Sequence, residues 1–123
     1  MRRTILVVDD QPSMCWILTK ILSREGYQVK TTATGSSALA IVETDEVHAA
    51  IVDYRLPDMT GIELFQRMMK KRRRIPAVLI TSYGSPELRD AALNVGMRAY
   101  FDKPLDVRKF LGELKEILGS RTD

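Results

Sequence analysis

The chain alternates between two hydrophobic periods. Residues 5–8, 49–52 and 77–80 are short unbroken apolar runs, each bounded by polar residues or by Gly and Pro. Such runs predict strands covered on both faces, as in a parallel sheet. Two other segments alternate residue by residue. In one, Tyr27, Val29 and Thr31 face opposite to Gln28, Lys30 and Thr32. In the other, Met97, Ala99 and Phe101 face opposite to Arg98 and Tyr100. Alternation predicts half-covered strands, which places these two at the sheet edges. Between the strands lie stripes at helical spacing. They are Met14, Ile17, Leu18 and Ile21; Ala38, Ile41 and Val42; Ile62, Phe65 and Met69; Leu88, Ala91, Ala92 and Val95. The fifth and strongest holds Val107, Phe110, Leu111, Leu114, Ile117 and Leu118. Pro12 and Pro86 sit near predicted helix starts, where a missing N–H is harmless, and Gly26 and Gly96 sit at predicted helix ends.

Five β–α units in strict alternation predict an α/β fold with a doubly wound, five-stranded parallel sheet between two helical layers. Right-handed crossovers and three buried central strands favour the flavodoxin-like order 2-1-3-4-5. A ligand crevice is then expected beyond the carboxyl ends of strands one and three. No linker or repeat interrupts the pattern, so residues 1–123 read as a single domain, with a core over about 4–118 and a short fraying tail after Leu118.

Composition narrows the class. The 123 residues are 45% hydrophobic and 28% charged, which excludes disorder as the main state. Cys15 is the only cysteine, which excludes a disulfide scaffold. No apolar run nears the ~18 residues of a membrane span, and the stretch before Asp9 is too short for a signal-peptide core. A reducing, cytoplasmic setting without membrane contact is the expectation. The net charge of +3 is local in origin: Arg67, Lys70, Lys71, Arg72, Arg73 and Arg74 are six of 19 basic residues, and without them the balance is −3. A run like this either meets an acidic partner or caps a helix end as a solvated cationic turn. No aromatic residue interleaves it, so direct nucleic-acid binding is not expected.

The chemistry gathers at one rim. Strand one runs into Asp9-Asp10, strand three into Asp53, strand four into Thr81-Ser82, and strand five is followed by Lys103-Pro104. Singly, each has an ordinary use: Asp as a helix cap or turn residue, Thr as a cap, Lys on the surface. Together they are harder to dismiss. Two carboxylates ~5 Å apart at an effective dielectric of ~20 repel by roughly 3 kcal/mol. Three need counter-charge, which Lys103 supplies in part. Oxygen ligands without His or Cys suit Mg²⁺, with Mn²⁺ as a substitute. His48 precedes strand three at its opposite end, as a loop residue too distant to ligate.

At this point the residues resemble a family. Val7-Val8-Asp9-Asp10, Asp53 followed by Leu56-Pro57-Asp58-Met59-Thr60-Gly61, Leu79-Ile80-Thr81-Ser82 and Lys103-Pro104, in that order on five β–α units, are similar to a CheY-like receiver domain of bacterial two-component response regulators. The resemblance spans residues 5–118. It implies that Asp53 is the phosphoacceptor, taking a phosphoryl group from a phosphohistidine on a histidine kinase or phosphotransfer protein. It implies Mg²⁺ held by Asp10, Asp53 and the Arg55 backbone carbonyl, with Asp9 acting through water. Thr81, Ser82 and Lys103 would bind the phosphoryl oxygens. Asp53, Thr81 and Lys103 would be the catalytic set of a regulatory domain that is not a separate enzyme but promotes its own phosphorylation and slow dephosphorylation. Movement of Thr81 would let Tyr100 turn inward and change the surface read by an output domain or downstream protein, with a homodimer on phosphorylation as a further expectation. A cis peptide is implied at Lys103-Pro104.

Individual positions add detail. Arg55 and Tyr83 stand where the family tunes phosphoryl lifetime; both are large, and neither orients an attacking water, so self-dephosphorylation should be slow. Trp16 reads either as a docking contact for the phosphodonor protein or as a side chain partly buried against a neighbouring helix. The stretches around Cys15-Trp16-Ile17-Leu18 and Asp53 to Met59 also look similar to receivers attached to transcription activators, so the chain also reads as the receiver piece of a longer DNA-binding regulator. Three other readings compete. A flavin or nucleotide module wants a Gly-rich loop after strand one, which Asp9-Asp10-Gln11-Pro12 is not. A phosphatase using Asp53 wants an acid two residues later, where Arg55 stands. An atypical receiver that serves only as an interaction module would have no need of the intact acidic set.

Overall fold

The computed structural model describes residues 2–71 and 74–119. Arg72, Arg73 and the expected fraying tail from Ser120 lie outside the described residues. The elements run β1 (Thr4–Val8), α1 (Pro12–Arg24), β2 (Gln28–Thr32), α2 (Gly35–Thr44), β3 (Ala49–Asp53), α3 (Gly61–Lys71), β4 (Ala77–Thr81), α4 (Pro86–Asn94), β5 (Ala99–Asp102) and α5 (Val107–Leu118). All strand pairs are parallel, in the order β2-β1-β3-β4-β5, so the alternating segments do form the edges.

The unbroken apolar strands feed two cores at once, because successive side chains point to opposite faces. Leu6, Val8, Ala50, Val52, Ala77 and Leu79 meet Ala38, Val42, Leu64, Phe65, Met68 and Ala92 of α2, α3 and α4. Ile5, Val7, Ala49, Ile51, Val78 and Ile80 meet Leu18, Leu22, Phe110, Leu114 and Leu118 of α1 and α5. Helix starts are fixed locally. Thr34, Ser85 and Asp106 each accept an N–H three residues on, from Ser37, Leu88 and Lys109. Gly26 and Gly96 follow α1 and α4 with φ of 93° and 109°, a region where a side chain is strained.

Several expected faces are displaced by about one position. On α1, Leu22 is buried and Ile17 is 43% exposed. On α3, Leu64 and Met68 are buried and Met69 is 42% exposed. Val107 and Ala91 also face outward. In the first two helices the i, i+4 ridge packs on the sheet, and the neighbouring apolar residue lies ~100° away on the cylinder. Met97 differs too. It joins the α3–α4 core with Tyr100 and not the layer of Ala99 and Phe101. The pleat begins only at Ala99, after a turn in which the Met97 N–H bonds the Ala92 carbonyl.

Gly61 positions the loop after β3. A Cβ there would stand 2.5 Å from the Asp53 carbonyl oxygen and 2.9 Å from both Leu79 Cδ1 and Val52 Cγ1. Gly61→Ala therefore pushes α3 off the sheet and is expected to cost about 1–3 kcal/mol in a urea melt. Wild-type stability in that variant would contradict the close approach.

Candidate functional site

The ends of β1, β3, β4 and β5 deliver polar groups to the same rim. Asp53 and Thr81 are the last residues of β3 and β4, and both are buried. Asp9 follows β1 and is also buried, while Asp10 is exposed. Lys103 follows β5, its N–H bonded to the Thr81 carbonyl at 2.8 Å, and the Lys103-Pro104 peptide is cis. Ligand oxygens of Asp9, Asp10 and Asp53 lie within 4.8 Å of one another. Asp10, Gln11, Asp53, Arg55, Thr81, Ser82, Tyr83 and Lys103 line a cavity of about 220 Å³.

The ammonium of Lys103 is the internal counter-charge. Its Nζ donates to Asp9 Oδ2 and Gln11 Oε1, each at 2.9 Å, and lies 3.6 Å from Asp53 Oδ2. The Lys103 side chain is only 8% exposed. The other oxygen of Asp9 accepts the Gln11 N–H at 2.9 Å. Both Asp9 oxygens are thus engaged, while Asp53 has the longer contact to Lys103 and a backbone hydrogen bond from Arg55. Burial pushes the Asp53 carboxyl up to about 6, the Asp9 charge adds to this, Lys103 opposes it, and Asp10 raises it again. The site holds more negative charge than the protein neutralises.

The set fits a hard divalent cation: three carboxylates converge, every candidate donor among them is oxygen, and Asp53 is short of positive charge. Thr81 Oγ1 accepts the Tyr83 N–H at 3.1 Å. Across the cavity mouth, the Arg55 guanidinium stacks 5.3 Å from the Tyr83 ring centroid. Tyr100 does not line the cavity; its hydroxyl donates to Asp102 Oδ1 at 3.1 Å.

Two contributors escaped sequence reasoning. Gln11 is neutral and precedes a helix, so nothing marked it as a partner of Lys103. Asp58 accepts the Gly35 and Ser36 N–H groups at 2.9 Å each and the Ser36 hydroxyl at 2.8 Å. These bonds hold its carboxyl down at about 2 and tie the β3–α3 loop to the start of α2. Only the preference of Asp for helix N-termini could have hinted at this.

Other candidates resolve simply. His48 is a loop residue whose Nδ1 accepts the Thr4 N–H at 2.9 Å. In the basic run, Arg67 pairs with Glu63, Lys71 pairs with Glu43, and Lys70 and Lys71 form the last turn of α3. Trp16 is 63% exposed with the Lys20 ammonium over its ring, which sets aside burial against a neighbouring helix. Among the described residues no helix is long and apolar enough to cross a membrane.

Comparison with known proteins agrees with this architecture. Residues 5–115 match the response regulator receiver domain family. The chain is 31% identical over 118 residues to sporulation initiation phosphotransferase F of Bacillus subtilis, covering 96% of this chain and 95% of that protein. It is 33% identical over 113 residues to the transcriptional regulatory protein TcrA of Mycobacterium tuberculosis, covering 92% of this chain but only 45% of the relative. The chain thus spans less than half of that regulator. Among solved structures, a CheY-like receiver domain protein from Methanospirillum hungatei superposes with a TM-score of 0.89 at 36% identity, covering 96% of this chain and 94% of the other. The chain belongs to the response regulator receiver family, whose domains serve as phosphorylation switches in two-component signalling.

Proposed function

We propose that this receiver accepts a phosphoryl group on Asp53 from a phosphohistidine of a histidine kinase or phosphotransfer protein. The carrying observation is the buried Asp53 at the floor of the rim cavity, set among Asp9, Asp10 and Lys103. An Asp53 oxygen forms a bond to phosphorus as the phosphorus–nitrogen bond breaks. The imidazole leaves with that electron pair and is protonated, and the product is an acyl phosphate. Such transfer leaves the protein mainly positioning and charge stabilisation. Lys103 faces the acceptor oxygen and offsets charge on the phosphoryl oxygens, to which the Thr81 hydroxyl and Ser82 N–H donate. Asp10, Asp53 and the Arg55 carbonyl would hold Mg²⁺, with Mn²⁺ as a substitute, and Asp9, already bonded at both oxygens, would act through water. Bound there, the cation supplies the positive charge that the phosphoryl oxygens and carboxylates share.

Thr81 and Tyr100 would carry the change to the output surface as a shift between two packings. Exposed Trp16 is read as part of the surface that meets the phosphodonor protein. A second reading, control of a DNA-binding output within a longer protein, draws on the 33% identity to a transcriptional regulator. The test is intact mass after incubation with acetyl phosphate and Mg²⁺, followed by peptide mapping. One phosphoryl group on the Asp53 peptide is expected; none, or one elsewhere, contradicts the reading.

Phosphoryl lifetime follows from the stacked pair at the mouth. Arg55 and Tyr83 both line the cavity, stack on each other and offer no carboxylate or amide to an attacking water. Arg55→Asn removes the stacked guanidinium and adds an amide, so phosphate release should speed up by about tenfold, the equivalent of ~1.4 kcal/mol on the barrier. An unchanged half-life would remove this role for Arg55.

A further inference from the structure

Tyr100 and Asp102 stand two residues apart on β5 and share one face of this edge strand. Their register partners on β4 are Leu79 and Thr81. The Tyr100 ring packs on the core layer that includes α4, and its hydroxyl donates to Asp102 Oδ1 at 3.1 Å. That hydroxyl also fills a notch at Gly84, in the connection between β4 and α4. A Cβ on Gly84 would lie 1.7 Å from the Tyr100 oxygen and 2.2 Å from Asp102 Oδ1. Gly84 is not among the glycines of positive φ, so its backbone conformation would suit any residue, and the close approach alone calls for glycine. Burial, and then the hydrogen bond to Asp102, push the Tyr100 phenol up, while a backbone hydrogen bond from Ser85 opposes this.

We propose that Gly84 and Asp102 form a seat that selects the Tyr100 conformer and so sets how readily this receiver switches. The seat has a steric part and a polar part that meet at Asp102, since a Cβ at position 84 would crowd both the hydroxyl and its acceptor. Thr81 lies beside Asp102 across the strand pair, so the seat adjoins the strand end that carries Thr81. The switching half rests on the reading of Asp53 as phosphoacceptor; the seat itself does not. Loss of a hydrogen bond to a carboxylate lowers the seated population by about tenfold relative to other conformers. A methyl group at position 84 excludes the seated ring outright.

The experiment follows the fluorine resonance of Tyr100 in fluorotyrosine-labelled protein, assigned with Tyr100→Phe. Without phosphodonor, Gly84→Ala and Asp102→Leu should both displace it, whereas Asp102→Asn should leave it in place, because an amide oxygen still accepts the hydroxyl. With acetyl phosphate and Mg²⁺, the first two variants should change the rate of phosphoryl uptake severalfold and in the same sense, with Asp102→Asn near wild type. An unmoved resonance in Gly84→Ala or Asp102→Leu overturns the seat. Opposite effects of those two variants on uptake overturn its control of switching. Absence of uptake in the wild-type chain overturns the functional reading, and with it the switching half, while the resonances decide the seat separately.

Discussion

Asp53→Asn is expected to stabilise the metal-free protein near neutral pH. Folding raises the Asp53 carboxyl from 3.8 to about 6. A shift of that size corresponds to roughly 3 kcal/mol at ~1.4 kcal/mol per pKa unit. The sign follows from proton binding. The folded state holds this proton more tightly than the unfolded chain, so the group's contribution to stability is fully present below about 3.8 and is lost as pH rises through about 6. Above that range the wild-type protein carries the full repulsion, which the neutral amide lacks. Allowing for the amide's imperfect partners, a gain of about 2 kcal/mol is expected near pH 7, or roughly 8 °C in Tm for a chain of this size. The gain should shrink toward zero near pH 4, and also when Mg²⁺ is added. Thermal melts across pH check this. An Asn variant no more stable than wild type near neutrality would mean that the rim is not crowded with uncompensated charge.

Lys103→Met is expected to act in the opposite direction and more strongly. Its ammonium touches Asp9, whose side chain is fully buried, and approaches Asp53. Removing one partner of a buried pair leaves the other charged and unpaired, which costs about 3–5 kcal/mol. A loss of about 3 kcal/mol is expected in urea near pH 7, less in acid, where the Asp53 carboxyl takes up its proton. Adding Asp9→Asn should recover much of the loss, because the two sites share one interaction. Equal stability of Lys103→Met and wild type would make Lys103 a surface lysine after all. Phosphoryl uptake by Lys103→Met should fall even where the variant is fully folded.

The strands and their order were legible because a continuous apolar run and an alternating run report coverage directly. The rim followed from them, since parallel strands put their last residues on one edge. Asp9, Asp10, Asp53, Thr81 and Lys103 therefore came together as expected from position alone. Helix facing was less legible. Ile17 and Met69 are as hydrophobic as Leu22 and Met68, and only contact with the sheet separates them. Contacts between distant loops were not legible at all. Nothing in the sequence joins Gln11 to Lys103 or Gly84 to Tyr100, and Arg55 and Tyr83, both expected beside the site, gave no sign of stacking on each other. Each of these pairs depends on where the fold brings two connections together.

A calorimetric titration of the metal-free protein with Mg²⁺ is the most direct test. One saturable site is expected, markedly weakened by Asp10→Asn and by Asp53→Asn, and little affected by Asp58→Asn, whose carboxylate serves the start of α2. Absence of saturable binding, or equal affinity in wild type and the Asp10 and Asp53 variants, would contradict the claim that these acids share a cation around a phosphoacceptor.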